Sequence, residues 1–169
     1  MCGIIGIASN KSVSSAIINS LRKLEYRGYD SAGIATLSNG IVSEVKSEGR
    51  VDILEKNLAV KNMSGPIGIG HVRWATHGVP NTINAHPHSS KSVSVVHNGI
   101  IENSTLLKKH LINKGHIFKS QTDTEVIVHL ITEYLKELNL KDAIIKTLKQ
   151  LHGSFALGII FKDQPDLIV

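Results

Sequence analysis

The 169-residue chain has the length of a single domain, and its 41% hydrophobic and 20% charged residues exclude a disordered, collagen-like or coiled-coil protein. The formal net charge is +5, but the lysines punctuate amphipathic helices, so we expect solvated helix faces and no nucleic-acid partner. No apolar run has the length of a membrane span and the first residues lack a basic leader, so we expect a cytoplasmic protein with no membrane partner.

The order of predicted elements favours an α+β fold. Strict βαβ alternation is absent, and Ser38-Asn39-Gly40 is typical of a hairpin between antiparallel strands. Thr122 and Glu125 match a capping box at the start of a helix. The periodicity predicts strands at 4–8, 33–37, 41–45, 67–72, 93–97 and 154–161, and helices at 13–24, 51–58, 105–114, 122–138 and 143–151.

The last residues, 167–169, have the composition of a strand. We expect the partner or continuation of this strand to lie outside the chain, so that residues 1–169 form an incomplete domain. Unpaired strand edges of that kind favour association, which leaves a homo-oligomer open.

Cys2 is the only cysteine, so an intramolecular disulfide is excluded. A lone cysteine is usually an inert buried side chain, but this one follows the initiator methionine. We expect processing to remove Met1, which would leave a thiol and a free α-amine on one residue. An α-amine with a pKa of about 8 is able to accept the thiol proton, as in enzymes that use an N-terminal nucleophile.

Six sequence strings, taken in order, carry a family resemblance. The strings are MCGIIGI, LEYRGYDSAGIA, GHVRWATHG, NAHPH, VVHNGIIEN and TDTEVI, and together they extend over nearly the whole chain. On these strings the chain resembles the glutaminase domain of glutamine–fructose-6-phosphate aminotransferases, which are class II glutamine amidotransferases and N-terminal nucleophile hydrolases.

The resemblance implies a four-layer αββα sandwich, with two antiparallel sheets between helical layers. It also implies hydrolysis of glutamine to glutamate and ammonia through a thioester on Cys2, without a cofactor or metal. In this family the ammonia aminates fructose 6-phosphate in sugar isomerase domains, which are absent from this sequence. A separate isomerase chain or domain is therefore an expected partner, and a non-catalytic fragment that binds glutamine or a partner is the alternative.

The resemblance also assigns a substrate-binding pair. Arg73 matches the residue that pairs with the glutamine α-carboxylate, and a guanidinium fork suits that geometry. Asp123 matches the residue that holds the α-ammonium group. Without the family motifs, Arg73 would be read as a surface ion pair and Asp123 as an ordinary first-turn helix residue.

Asn98 and Gly99 match the oxyanion hole of the family, and an Asn-Gly turn after a strand is the alternative. Three further residues match the loop that closes over glutamine: Trp74, Thr76 and His77. We expect four further residues to support the substrate-contacting side chains without touching glutamine themselves: Arg27, Gly28, Asp30 and His86.

The spacing of His86 and His88 leaves a metal site open, with His71, His77 and His97 nearby in sequence. Structural and catalytic metal sites are usually built from several ligands at set spacings, and no third partner stands out here. We therefore expect no metal.

Overall fold

The computed structural model describes residues 2–60, 63–75 and 78–168, with the main chain alone at residues 60 and 165–168. Within these ranges it contains eight strands: β1 Gly3–Ala8, β2 Ser31–Ser38, β3 Ile41–Glu48, β4 Ile67–Arg73, β5 His88–Ser89, β6 Val93–Ile101, β7 Gly153–Phe161 and β8 Gln164–Ile168. It also contains five α-helices: α1 Ser14–Leu24, α2 Val51–Val60, α3 Ser104–Asn113, α4 Glu125–Tyr134 and α5 Leu140–Gln150.

The strands form two antiparallel sheets of four strands each. The first sheet has the order β1-β4-β2-β3 and the second has the order β5-β6-β7-β8. The Asn39-Gly40 hairpin joins β2 to β3, and both turn residues have positive φ (49° and 73°), as a two-residue hairpin loop of this kind requires.

Three separate apolar clusters show that the molecule has four layers. One cluster lies between α1, α2 and the first sheet and includes Ile17, Leu21, Ile34, Leu54 and Val72. A second lies between the two sheets and contains Ala35, Leu37, Ile67, Ile69, Val96 and Ile160. The third lies between the second sheet and helices α3 to α5 and includes Leu111, Ile127, Leu130, Ile131 and Ile159. The predicted αββα sandwich is therefore confirmed.

Strand β4 shows how the sequence creates these layers. Its odd-numbered residues Ile67 and Ile69 face the second sheet, while Gly68 and Gly70 face α1. A methyl group at Gly70 would lie 2.5 Å from Cγ2 of Ile17. The two glycines therefore allow α1 to pack directly on the backbone of β4.

Three sequence-based predictions were wrong in detail. The capping box is not formed, because α4 begins at Glu125 and its N-cap Thr124 makes no side-chain cap hydrogen bond. The strand predicted to end before Asn98 continues to Ile101, since its ladder with β7 includes both Asn98 and Gly99. The terminal strand β8 has a partner within the chain, because it pairs with β7, so the expectation of a missing partner was wrong while the incomplete domain stays a prediction.

Among the described residues, none of the helices combines the length and the apolar character needed to cross a membrane.

Candidate active site

The nucleophile candidate lies at the start of β1, beside the end of β4. These strands are antiparallel and Gly3 pairs with Val72, which places Cys2 next to Arg73 and Trp74. The Trp74 backbone N–H donates to the Cys2 Sγ at 3.4 Å, and the Trp74 carbonyl oxygen lies 3.6 Å from the same sulfur. The strand register therefore fixes the sulfur at one edge of the first sheet.

The environment of Cys2 favours the protonated thiol. Burial raises the pKa of this thiol above its ordinary value, and the hydrogen bond from the Trp74 backbone only partly opposes that effect. Because the thiolate is the reactive form, the sulfur needs a base that removes its proton when it attacks.

The segment around Arg27 holds the nucleophile strand against β4. Arg27 Nε donates to the Cys2 carbonyl oxygen at 3.0 Å. The backbone N–H of Asp30 donates to the Arg73 carbonyl oxygen at 3.2 Å, and its carboxylate accepts from the Ala75 N–H. A Cβ at Gly28 would lie 2.5 Å from the backbone carbon of Arg73, so this close approach requires glycine.

Asn98 and Gly99 lie in the second sheet, across from the nucleophile. Gly99 has a φ of 141°, and a Cβ there would lie 2.1 Å from the Ser154 carbonyl oxygen on β7. Both residues line a groove that they share with Cys2 and Trp74. Glycine is therefore required at position 99, because the backbone has a positive φ and because β6 and β7 lie too close together there for a Cβ atom.

Asp123 approaches from the loop before α4. Its Oδ2 accepts the Ile101 backbone N–H at 2.8 Å, and its Oδ1 lies 3.8 Å from Nδ1 of His97. The side chain is nearly buried, with a relative exposure of 9%. This hydrogen bond ties the carboxylate to the end of β6.

These elements line a common cleft. The buried guanidinium of Arg73 donates to the carbonyl oxygens of Gly78 and Val79 at 3.2 and 3.4 Å, and Trp74 forms a half-exposed rim. The cleft is lined by Cys2, Arg73, Trp74, His86, His97, Gly99, Thr122, Asp123 and Thr124. A cation and an anion thus line the same small space as a thiol, which is the arrangement an amino acid zwitterion needs.

A group of buried histidines lies behind this cleft. The rings of His71 and His86 stack with centroids 4.1 Å apart, and His71 Nε2 donates to the His97 carbonyl oxygen at 2.9 Å. Burial lowers the pKa of His71 to about 3 and that of His88 to about 3, and it holds the pKa of His86 well below the usual range. These three imidazoles are therefore neutral at physiological pH.

The alternative interpretation, a metal site, would use histidines of the same group as its ligands. In the described ranges, no group of three or more His, Cys, Asp or Glu side chains is arranged to hold a metal ion. His86 and His88 instead bond Thr124 and Thr122 through their Nε2 atoms, at 2.7 and 3.0 Å.

The structure brings together most of the residues that the sequence singled out. Cys2, Arg73, Trp74, Gly99 and Asp123 line the cleft together with His86, and Asn98 lines the adjoining groove. Predicted positions 76 and 77 (Thr76 and His77) lie outside the described residues.

Sequence reasoning missed three residues that line the cleft: His97, Thr122 and Thr124. The two threonines flank Asp123 within the TDTEVI string, so their position beside a predicted substrate residue was the available signal. No local pattern distinguished His97 from its buried neighbours.

Comparison with known proteins agrees with this geometry. Residues 71–169 match the family model described as a glutamine amidotransferase domain. The chain belongs to this family. A glutamine–fructose-6-phosphate aminotransferase (isomerizing) from Mesorhizobium japonicum is 52% identical over 170 aligned residues, covering 100% of this chain and 28% of the relative. The corresponding protein of Clostridium acetobutylicum is 53% identical, with the same coverage.

The amidotransferase fold is also present in solved structures. The glutamine phosphoribosylpyrophosphate amidotransferase of B. subtilis superimposes with a TM-score of 0.85 at 31% identity, over 96% of this chain and 35% of that chain. The resemblance to the amidotransferases is therefore confirmed in sequence and in fold. The chain spans about 28% of the length of the curated relatives named above.

Proposed function

We propose that this chain hydrolyses the side-chain amide of glutamine to glutamate and ammonia, with the Cys2 sulfur as nucleophile. The observation that carries the proposal is the shared cleft, in which the Cys2 thiol, the Arg73 guanidinium and the Asp123 carboxylate come together. Membership of the amidotransferase family supports the same reaction.

Two charged side chains would hold the backbone end of glutamine. Arg73 binds the α-carboxylate, since its buried guanidinium is already oriented by the Gly78 and Val79 carbonyl oxygens. Asp123 binds the α-ammonium group, since its carboxylate lines the cleft and its Oδ2 is fixed by the Ile101 backbone N–H.

The chemistry would begin at the sulfur. Because burial raises the pKa of the thiol, the attack requires a base. The α-amine of Cys2 supplies it once Met1 has been removed, and it accepts the thiol proton as the S–C bond forms. In a chain that retains Met1 the same nitrogen is an amide and cannot act in this way.

The tetrahedral intermediate carries its negative charge on the former amide oxygen. The Gly99 N–H and the Asn98 side-chain amide donate to this oxygen, and each such donor is worth about 3 kcal/mol in the transition state. The C–N bond then breaks, and ammonia leaves with the proton returned by the amine. Water hydrolyses the resulting thioester and releases glutamate and the free thiol.

The names of the relatives suggest where the ammonia goes. They are aminotransferases that act on fructose 6-phosphate, and this chain matches only about 28% of their length. We infer that a sugar-phosphate isomerase unit, on the same or a separate chain, uses the ammonia to aminate fructose 6-phosphate to glucosamine 6-phosphate.

The competing function is a domain that binds glutamine without hydrolysing it. The raised pKa of the Cys2 thiol favours this alternative whenever no base adjoins the sulfur. Intact mass separates the two cases, because retention of Met1 is expected in the binding domain and loss of Met1 in the enzyme.

The direct test is glutamate release from glutamine by the unmodified chain and by Cys2→Ala. We expect turnover to fall at least about a thousandfold in the variant, because the covalent route is lost, while glutamine binding persists. Equal turnover by the two proteins would overturn the covalent role of Cys2.

A further inference from the structure

The loop that carries Asp123 is held by a glutamate at the start of α4. Residues 117–124 lie outside the helices and strands, so no ladder fixes their backbone. Glu125 accepts the Lys119 N–H on Oε1 at 2.8 Å and the Ser120 N–H on Oε2 at 2.7 Å. It also accepts the Ser120 hydroxyl on Oε2 at 2.6 Å. One carboxylate therefore fixes the start of this loop.

The hydrogen-bond directions beyond Ser120 follow from counting protons. The Ser120 hydroxyl gives its single proton to Glu125, so it accepts the Thr122 hydroxyl proton at 3.0 Å. Thr122 in turn accepts from His88 Nε2–H at 3.0 Å. This order requires a proton on Nε2 of His88, and because burial lowers the pKa of His88 to about 3, the neutral ring carries that proton on Nε2 alone.

The other end of the loop is fixed at the substrate residue. Asp123 follows Thr122 directly and accepts the Ile101 N–H at 2.8 Å. Glu125 itself lines a different cleft, with an empty volume of about 750 Å³, where Lys46 and His88 also lie. Any effect of Glu125 on glutamine must therefore pass through the loop.

The charge on Glu125 is maintained by its partners. Burial alone would raise the pKa of this carboxyl group, but the neighbouring His129 side chain and the hydrogen bonds from Ser120 and Lys119 lower it to about 2. The carboxylate is thus ionised at neutral pH and accepts the loop donors.

We propose that Glu125 is a positioning residue for glutamine, which acts through Ser120 and Thr122 to hold Asp123 where the α-ammonium group binds. This role rests on the proposed function, because it requires glutamine in the cleft. It differs from that function in that Glu125 touches neither the substrate nor the reacting sulfur.

The test is glutamine affinity in the Cys2→Ala background, where no turnover consumes the ligand, measured by isothermal titration calorimetry. Glu125→Gln is expected to weaken binding about tenfold, since the new amide NH₂ opposes the loop donors that the carboxylate accepted. In the Cys2-containing chain the same change should raise KM for glutamine and leave kcat within about threefold.

A matched control lies on the same helix. The carboxyl pKa of Glu133 is also lowered to about 2, but through hydrogen bonds from Lys136, His116 and Lys114, and Glu133 makes none of the contacts with the loop that Glu125 makes. Glu133→Gln should leave glutamine affinity within about twofold. An equal loss in both variants would show a general effect on the helix and overturn the proposal.

A second ligand separates positioning of Asp123 from collapse of the cleft. The glutamine analogue with hydrogen in place of the α-amino group makes no ion pair with Asp123, so Glu125→Gln should not change its affinity. Equal weakening of both ligands would contradict the proposed role.

If the Glu125→Gln variant does not fold, Ser120→Ala tests the same positioning role. It keeps both backbone hydrogen bonds to Glu125 and removes the Ser120 hydroxyl, with its hydrogen bonds to Glu125 Oε2 and to Thr122. We expect about a threefold loss of glutamine affinity and no loss of affinity for the analogue. An unchanged affinity for glutamine would overturn the positioning role.

The Cys2→Ala parent separates failure of the positioning role from failure of the proposed function. If this parent binds the analogue but not glutamine, or binds neither ligand, the proposed function is wrong and the positioning role is wrong with it.

Discussion

The two sides of the cleft are held in place by different forces. Cys2, Arg73 and Gly99 lie in or directly beside β-strands, where the ladders of the two sheets set their positions. Asp123 lies in a loop, where hydrogen bonds from backbone N–H groups to the carboxylates of Asp123 and Glu125 replace the ladder. A backbone shift on the strand side must therefore disturb a whole sheet, whereas a backbone shift on the loop side can move one residue alone.

The largest effect is expected from Gly99→Ala on the strand side. The added methyl group would meet the Ser154 carbonyl oxygen, and alanine at a φ of 141° adds strain on the order of 1–3 kcal/mol. Because β6 must shift, both proposed oxyanion donors move, and kcat/KM for glutamine should fall about a thousandfold or more. Steady-state kinetics and thermal melting measure the two consequences.

Gly115→Ala is the control for backbone strain alone. Gly115 also has a positive φ, of 88°, but a Cβ there meets nothing within 4 Å. This variant should lose some stability and keep its activity. If Gly99→Ala is equally active, the close contact with β7 does not position the catalytic donors.

Asn98→Ala is expected to have the next largest effect. The loss of one oxyanion donor should lower kcat about a hundredfold, or about 3 kcal/mol, with little change in KM, because the charge develops only in the transition state. Asn98→Asp should be slower still, since a carboxylate repels the oxyanion. A fully active Asn98→Asp variant would exclude the donor role.

The smallest effect on catalysis, but a clear one on stability, is expected from acid. His71, His86 and His88 belong to the buried group behind the cleft, and burial lowers the pKa of each below its unfolded value of 6.5. Their contribution to folding is therefore complete above about pH 6.5 and is lost as the pH falls. Between pH 7 and 5 each histidine should cost about 2 kcal/mol of unfolding free energy.

Urea titrations at pH 7, 6 and 5 measure this loss. His88→Gln keeps a neutral donor toward Thr122 and should remove about one third of the pH dependence. An unfolding free energy that does not change between pH 7 and 5 would show that these histidines are not kept neutral by the fold.

The contrast between the strand side and the loop side of the cleft also explains which features could be predicted from the sequence. The individual strands and helices followed from local periodicity, and in β4 isoleucines and glycines alternate between the sheet side and the helix side. The four layers were expected only from the family resemblance. Six of the cleft-lining residues were expected from the motifs that carry the family resemblance, and they are Cys2, Arg73, Trp74, His86, Gly99 and Asp123. The strand predicted to end at Asn98 failed because pairing with β7 overrides a local turn signal.

The loop side was harder to predict for a physical reason. Glu125 was read as a capping-box residue for its own helix, but its carboxylate instead bonds the backbone of Lys119 and Ser120. Those bonds depend on the path of a loop that has no periodicity. His97 was missed as a lining residue because its position follows from contacts between the second sheet and α4, which are distant in sequence.

The nucleophilic role of Cys2 is tested most directly by covalent labelling with a glutamine analogue that carries a thiol-alkylating ketone in place of the amide. Because the chain has one cysteine, peptide mass mapping gives an unambiguous site. We predict a single adduct on Cys2, formed in parallel with loss of glutaminase activity and slowed by excess glutamine. Labelling that glutamine does not slow, or full activity in a completely labelled protein, would contradict the role of this thiol.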